Sequence, residues 1–332
     1  MKIVYVDYKY HYGKKELGFN SIAKDGFIAS FERLGHDIAP FFYDDFVNEP
    51  DRLHMELIKF CEKEKPDLVF FLLSHDLFNK EVISNLTEKY TTVNFFGDDQ
   101  WRFESFTKKL AHSFTYCVTT DPLAVKKYKS INYKNIILSQ WAALDLEEFK
   151  VNHVNNYSYE VSFVGGHNFY REWFIDYLTS KGIKVHCFGV GWPAGPVSES
   201  EMSRIFRETK INLNISNSCS YDFRFLLAKP LLFFRQLRSA KVASQIKARN
   251  FEIPALNGFQ LTDYVPFLEK YLNIGSEVVC YNTPNEAVDL IEYYLQSDKE
   301  RENIKKLSYG KVVQDHFYIN RVQDILEAIK TV

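Results

Sequence analysis

The stretch Leu68-Val69-Phe70-Phe71-Leu72-Leu73 is an uninterrupted apolar run that follows the charged segment EKEKPD and ends at polar residues. A short apolar run between polar turns is typical of a parallel strand that is covered on both faces. Similar runs recur on both sides of it, with amphipathic stretches between them. This alternation predicts β-α units and therefore a parallel, Rossmann-like sheet.

The same alternation continues along most of the chain. In the first half it predicts strands at 3–7, 37–42, 68–73, 92–96, 116–119 and 136–139, with helices at 20–34 and 50–64. In the second half it predicts strands at 159–165, 185–189, 211–215, 258–262 and 278–281, with helices at 170–181, 200–208, 285–296 and 319–329. Between the halves, LDLEEFKVNHVNNYS (144–158) lacks a clear apolar period. We therefore expect a hinge there, between domains 1–148 and 149–311.

Composition and charge exclude several classes of protein. The 332 residues carry a formal net charge of -2, which supplies no broad cationic field for nucleic acid. The five cysteines are scattered singly, so they predict neither a zinc cage nor a disulfide framework. The chain starts directly on an apparent strand and its apolar runs are too short to span a bilayer, so we expect a cytoplasmic protein.

Glycines follow two predicted strands of the second half. Gly165 and Gly166 end FVGG, and Arg171 lies in the helix that comes next. Such glycines let backbone N–H groups approach a phosphate, and arginine adds a bidentate donor. The alternative is an ordinary tight turn. Trp192, in GVGWP, could stack on a nucleotide base or could simply be packed.

A basic segment runs from residue 224 to residue 249. It contains no acidic residue, and it holds LLAKPLLFF together with the following basic side chains: Arg224, Lys229, Arg235, Arg238, Lys241, Lys247 and Arg249. Such a segment could contact anionic lipid at the inner membrane face or bind a diphosphate, or it could be a solvated helix face. Peripheral membrane contact through this segment is therefore one expectation.

The segment RNFEIPALNGFQ (249–260) places Glu252 six residues before a glycine and a strand. A carboxylate fixed there could accept hydrogen bonds from the two hydroxyls of a ribose. It could equally be a glutamate favoured by a helix N-terminus. Spacing alone leaves both interpretations open.

The motifs of the second half, taken in order, resemble the nucleotide-binding domain of GT-B glycosyltransferases, in particular the spore maturation protein CgeB-like group. The set is FVGG, Arg171, GVGW, INLNIS, K-x-R-N-F-E-I-P-A-x-x-G-F, EVVCY and DHFYINRVQDIL, and it covers roughly residues 159–330. The resemblance implies an α/β protein with two Rossmann-like domains facing across a cleft. It also implies that Glu252 contacts ribose and that Arg171, Lys247 and Arg249 face the diphosphate.

The resemblance has one departure and one further implication. Ser244 stands where the first glutamate of the family's E-x7-E motif is expected, so that glutamate's contact with the donor sugar cannot be transferred to this chain. Residues 312–332 correspond to the C-terminal helix that returns to brace the first domain. His316 and Arg321 fit the family pattern H-x4-R, and we expect them to anchor that helix.

Candidates for chemistry at the acceptor lie at predicted strand ends of the first domain. Asp98 and Asp99 follow a strand and a glycine, and His11 follows the first strand. They could act as a base or hold the acceptor, whereas the aspartates could instead cap a helix. The resemblance predicts a metal-independent glycosyltransferase of polysaccharide biosynthesis, with no cofactor beyond the nucleoside-diphosphate sugar that serves as donor. The acceptor would be a glycan, a lipid-linked glycan or a protein.

Two other functions stay open at this point. A nucleotide-sugar 2-epimerase also uses two Rossmann-like domains, although the second domain offers no clear acid and base for the sugar ring. A non-catalytic glycan- or nucleotide-binding protein would be consistent with the serine at position 244.

Overall fold

The computed structural model describes residues 1–15, 21–145, 156–218 and 221–330. The chain forms two compact units. The first comprises Met1–Asp145 and Tyr318–Val332, and the second comprises Leu146–Phe317. Most of the hinge predicted at 144–158 lies outside the described residues, so its location stays a prediction.

The first unit is built on a six-stranded parallel sheet. Its strands are β1 (Lys2–Asp7), β2 (Asp37–Phe42), β3 (Leu68–Phe71), β4 (Thr91–Phe96), β5 (Tyr116–Thr119) and β6 (Ile136–Leu138). The order across the sheet is β2-β1-β3-β4-β5-β6, and every neighbouring pair is parallel. The chain reverses direction across the sheet between β1 and β3, which is where open α/β sheets form ligand crevices.

The second unit repeats this plan with five strands. They are β7 (Tyr159–Val164), β8 (Val185–Phe188), β9 (Thr209–Asn214), β10 (Gln260–Asp263) and β11 (Val279–Tyr281). The order is β11-β10-β9-β7-β8, again all parallel. The strand order reverses between β7 and β9.

Helices connect the strands of both units. Up to Asp145 they are α1 (Ala29–Arg33), α2 (Pro50–Glu64), α3 (Lys80–Thr87), α4 (Asp99–Arg102), α5 (Lys108–Leu110) and α6 (Ala124–Ser130). The second unit has α7 (Phe169–Ser180), α8 (Glu199–Arg207), α9 (Phe223–Ala228), α10 (Pro230–Gln236), α11 (Arg249–Ala255), α12 (Pro284–Gln296) and α13 (Asp298–Asp315). The last helix is α14 (Tyr318–Lys330). Short 3₁₀ and π turns complete the connections, including Ala23–Ile28 ahead of α1.

Apolar layers cover both faces of the first sheet. Alternate side chains of β1 point to opposite faces, so that Val4 and Val6 pack in one layer while Ile3 and Tyr5 pack in the other. The layer around Ile3 also contains Tyr318 of α14, together with Val322, Ile325 and Leu326. Helix α14 therefore covers one face of the first sheet, although it comes last in sequence.

The α/β class with two Rossmann-like sheets, predicted from the apolar runs, is confirmed. The strand predicted at 68–73 is shorter in the structure because the N–H of Leu73 donates to the side-chain oxygen of Asn94 at 3.1 Å. The helix predicted at 20–34 begins with the π turn and is regular only over α1. Helices α9, α10 and α13 were not predicted, and the segment from residue 312 to Asp315 belongs to α13.

Candidate functional site

Two loops meet where the strand order of the second sheet reverses. One follows β7 and contains Gly165 and Gly166, and the other follows β9 and begins at Ile215. Asn168 joins the two, because its side chain donates to Asn217 at 3.1 Å. The same side chain caps α7 by accepting from the N–H of Arg171 at 2.8 Å. The loops that follow adjacent strands are thus held together at one end of the sheet.

The glycines of this region allow backbone segments to approach closely. Gly189 has φ of 125°, and a β-carbon placed on it would lie 2.4 Å from the carbonyl oxygen of Gly165. A side chain at Gly189 would therefore displace the loop after β7. A β-carbon on Gly166 would meet nothing within 4 Å, so the backbone at Gly166 faces open space. A ligand can approach the backbone at this point.

Trp192 supports the loop after β7. Its indole N–H donates to the carbonyl of Gly165 at 2.8 Å, and its ring stands edge-on to His167 with centroids 5.0 Å apart. The indole N–H of Trp192 is therefore already bonded within the protein. Stacking of the indole on a base, proposed from GVGWP, stays a prediction.

Arg171 links the loops after β7 and β9 by hydrogen bonds. Its guanidinium donates to the carbonyl of Gly166 at 2.7 Å and twice to the carbonyl of Ile215, at 3.1 and 2.5 Å. Burial and, to a smaller degree, the positive charge of Arg249 together lower the pKa of Arg171 to about 10. The group is still charged at neutral pH. The structure thus shows Arg171 in a positioning role, while direct contact with a diphosphate stays a prediction.

Asp263, which ends β10, is a site residue that the sequence analysis missed. Its carboxylate accepts from the N–H of Ser216 at 2.9 Å and so fixes the loop after β9. Burial raises its pKa to about 6, although Ser216 and the charge of Arg171 oppose this rise. An aspartate directly after the strand predicted at 258–262 is the only sequence signal for this residue.

Glu252 and Arg249 lie on α11. The Nε atom of Arg249 is 3.6 Å from Oε2 of Glu252, and the guanidinium lies over the ring of Phe206 at 5.6 Å. Burial raises the pKa of Glu252, and Arg249 opposes that rise. The charge of Arg249 also lowers the pKa of Arg171. Three residues predicted for the donor site, Arg171, Arg249 and Glu252, are therefore close enough to interact electrostatically.

The N-terminal approach to α11 holds Lys247. Its backbone N–H donates to the side chain of Asn250 at 3.0 Å, which fixes the turn before the helix, and its side chain is partly exposed. The bonding within α11 is unusual because Pro254 has no N–H to donate to the carbonyl of Asn250. The side chain of Gln260 donates to that carbonyl instead, at 3.2 Å. Residues 247–260 thus form one interlocked segment.

Ser244 lies next to the loop after β9. Its hydroxyl oxygen is 2.8 Å from that of Ser218. The position that a glutamate would occupy in the E-x7-E motif is therefore close to the reversal of strand order, and in this chain it holds a neutral pair of hydroxyls.

In the first unit, Asp99 is a buried structural carboxylate. It is 1% exposed and accepts from the hydroxyls of Thr107 (2.6 Å), Thr119 (2.6 Å) and Tyr128 (3.0 Å). Burial raises its pKa to about 6, while the three hydroxyls oppose the rise. Its carboxylate points into the protein interior, so the prediction of chemistry at this strand end rests on Asp98.

Asp98 and His11 lie after different strands of the first sheet. Asp98 directly precedes α4 and is partly buried, and its carbonyl accepts from Arg102 at 2.9 Å. His11 begins a 3₁₀ turn after β1, and partial burial lowers the pKa of its imidazole. Strand β3 separates β1 from β4 in the sheet. The catalytic role of both residues stays a prediction.

The residues predicted to anchor the C-terminal helix are buried. His316 follows α13, and its ring contacts the carbonyl of Tyr271 at 2.9 Å and packs against Phe251 of α11. Arg321 is buried within α14. Among the described residues, no group of three or more His, Cys, Asp or Glu side chains is arranged to hold a metal ion. No helix within the described ranges is long and apolar enough to cross a membrane.

Comparisons with known proteins indicate the class of this fold. Residues 171–327, slightly less than half of the chain, match the model of a family described as glycosyl transferase-like. Comparison with curated proteins gives no significant match. The CgeB-like subgroup suggested by the motifs is therefore not confirmed.

Solved structures match over the full length of the chain. A glycosyltransferase from Rickettsia africae aligns with a TM-score of 0.62 at 11% identity, covering 99% of this chain and 98% of that one. HepE from Anabaena, solved with UDP, aligns with a TM-score of 0.61 at 9% identity and covers both chains completely. Sucrose-phosphate synthase from Thermosynechococcus elongatus aligns with a TM-score of 0.63 at 7% identity, covering 100% of this chain and 98% of that one. The chain therefore has the GT-B fold, as the motifs predicted.

Proposed function

We propose that the protein transfers a sugar from a nucleoside-diphosphate sugar to a hydroxyl acceptor. The observation that carries this proposal is the site of the second unit, where Arg171 joins the loops after β7 and β9 beside Arg249 and Glu252. A crevice at the carboxyl ends of parallel strands, with open backbone at Gly166 and cationic side chains nearby, suits a nucleoside diphosphate. The match of residues 171–327 to a glycosyl transferase-like family supports the same activity.

Each residue of this site has a role in the proposal. The carboxylate of Glu252 accepts from the ribose hydroxyls, and Arg249 and Lys247 neutralise the diphosphate. The backbone N–H of Gly166, close before the start of α7, also faces the diphosphate, whereas those of Gly165 and His167 donate to the carbonyls of Phe188 and Val190. Arg171, Trp192 and Asp263 hold the two loops in position. Positive charge at the diphosphate stabilises the leaving group as the bond to the sugar breaks.

The acceptor side is proposed for the first unit, with Asp98 or His11 as the base that takes the proton of the acceptor hydroxyl. Charge at the diphosphate would come from side chains and backbone, so the proposal needs no metal ion. The acceptor is a glycan, a lipid-linked glycan or a protein.

The test is calorimetric titration of the full chain with UDP, GDP, ADP and CDP. UDP is the first choice because the structurally similar HepE was solved with UDP and with UDP-glucose. We expect micromolar binding of one nucleotide and a loss of about tenfold or more in Glu252→Gln, which keeps the shape of the side chain but changes its hydrogen bonding. Glu277→Gln, on an exposed turn of the same unit, is the matched control. If no nucleotide binds, or if both variants bind like the wild type, the assignment of the site is wrong.

One observation favours a second candidate. Ser244 and Ser218 form a neutral pair where related enzymes carry a carboxylate. A protein that binds the nucleotide sugar without transferring the sugar would make the same contacts with the nucleotide. Saturable binding of a donor without hydrolysis or transfer, in the presence of a panel of glycan acceptors, would support this second function over the first.

A further inference from the structure

Helices α9 and α10 are fastened firmly to the second unit along one side. Phe225 and Phe233 are buried, and the ring of Phe225 lies 5.4 Å from that of Trp173 on α7. Lys229, between the two helices, forms ion pairs with Glu172 at 2.9 Å and Asp176 at 2.6 Å, both on α7. The orientation of the two helices on the second unit is therefore well defined by packing and by charge.

The opposite side of the two helices exposes large apolar side chains. Phe223 and Leu227 are 65% and 67% exposed, and Leu231 and Phe234 are 80% and 59% exposed. Spacings of four and three residues place each pair on one side of its helix. We call these four residues the α9–α10 face. Single exposed apolar residues are common on protein surfaces, but a cluster of large ones usually marks a contact surface.

The segment that carries the α9–α10 face has charges of one sign, and the acidic residues next to it, Asp222, Glu172 and Asp176, are paired with Arg224 and Lys229. No acidic residue occurs between Phe223 and Phe251. Arg235 and Arg238 are exposed at the end of α10 and just after it. An apolar face with arginines beside it matches the layered chemistry of an anionic bilayer, in which lipid phosphates lie directly above the acyl chains. Long basic side chains can reach the phosphates while their neighbours enter the apolar layer.

Two other occupants fit this chemistry less well. In a symmetric dimer of this chain the same patch would meet itself, which would bring the arginines of the two copies near one another. A neutral hydrophobic partner would offer no opposite charge to Arg235 and Arg238. An anionic surface satisfies both the apolar and the charged groups.

We propose that the α9–α10 face docks the protein on the surface of an anionic lipid bilayer, with Leu227, Leu231 and the two phenylalanines entering the boundary between headgroups and acyl chains. This inference does not depend on the proposed transferase activity, because none of the residues of the α9–α10 face belongs to the proposed donor site. If the acceptor is lipid-linked, docking would concentrate the enzyme where that acceptor is found.

The test is sedimentation of the full chain with vesicles of phosphatidylcholine alone or with about one-third phosphatidylglycerol. We expect binding to the anionic vesicles that weakens as salt rises. The double variant Leu227→Glu with Leu231→Glu should bind at least about tenfold more weakly, because it places two carboxylates in the apolar layer. Met55→Glu with Leu307→Glu makes the same change of charge at exposed apolar positions elsewhere, and should bind like the wild type.

A second pair of variants tests the charge. Arg235→Ala with Arg238→Ala should weaken binding about fivefold for each arginine removed, which corresponds to about 1 kcal/mol each. Circular dichroism and the affinity for UDP, measured on every variant, separate loss of docking from loss of fold or of nucleotide binding. The proposal is overturned by absence of vesicle binding, or by equal binding of the two double glutamate variants. A dimer that forms without vesicles and is abolished by Leu227→Glu with Leu231→Glu would also overturn it.

Discussion

Replacement of Arg171 by lysine or methionine tests whether the guanidinium fork, rather than its charge, holds together the loops after β7 and β9, where we propose that the nucleotide binds. Arginine can donate to two carbonyls at once, and in this structure it makes three such hydrogen bonds. Lysine keeps the charge but has a compact ammonium group that reaches one carbonyl. Methionine fills much of the same volume and donates nothing.

The structure supplies the magnitudes. Hydrogen bonds from charged groups contribute roughly 1.5–3 kcal/mol each. Because two of the three share the carbonyl of Ile215, we take the lower end of that range, about 5 kcal/mol in total. Lowering of the Arg171 pKa from 12.5 to about 10 corresponds to a cost of about 3 kcal/mol for keeping the charge buried. Arg171→Met loses the bonds but removes that cost, and Arg171→Lys keeps the cost and loses about two bonds. Both variants should therefore lower the free energy of unfolding by about 2–4 kcal/mol.

The assay is urea unfolding followed by tryptophan fluorescence, with UDP binding measured on the folded variants. Arg52→Lys, an exposed arginine paired with Glu49, is the control and should change stability by less than about 0.5 kcal/mol. We also expect both Arg171 variants to bind UDP about tenfold more weakly, because the loops after β7 and β9 lose their link. Wild-type stability in Arg171→Lys would refute the reasoning, since charge alone would then be sufficient.

Three other predictions follow from the described contacts. The pKa of Asp99 is about 6 in the folded state against a usual value of 3.8, so between these pH values the folded state binds more protons than the unfolded state. Protonation of Asp99 should therefore raise the free energy of unfolding as the pH falls from 7 to 5. Urea unfolding at several pH values should show that increase in the wild type and a smaller one in Asp99→Asn. Gly189→Ala should lower the melting temperature and weaken UDP binding, whereas Gly182→Ala, which also has a positive φ but open space around it, should affect stability alone and less strongly. Gln260→Leu should lower the free energy of unfolding by roughly 1–3 kcal/mol, because it leaves the carbonyl of Asn250 without a donor. Pro254→Ala supplies an N–H for that carbonyl, so the double variant should recover part of the loss in a double-mutant cycle. Additive effects of the two substitutions would contradict this prediction.

The sequence alone determined the fold class, because parallel strands buried on both faces need continuous apolar runs that are visible in any sequence. It also predicted which segments form the proposed donor site, since glycines at strand ends and the order of the motifs are local features. Helix α13 shows where this reasoning fails. Its 18 residues are strongly charged, yet Arg301 is 1% exposed and donates to the carbonyl of Tyr294. A buried arginine in a helix removes the apolar period on which prediction depends.

Only the tertiary structure decided what individual polar side chains do. Arg171 looked like a phosphate ligand from its place after FVGG, but the structure shows it bound to two carbonyls from loops far apart in sequence. Asp99 and Asp98 are adjacent, yet one is enclosed by three hydroxyls from distant segments while the other stays at the strand end. Burial and hydrogen-bond partners arise from long-range packing, so neither residue type nor spacing could reveal them. The exposure of Leu231, in the run LLAKPLLFF for which the sequence left several interpretations open, was decided in the same way by which side of α10 packs on α7.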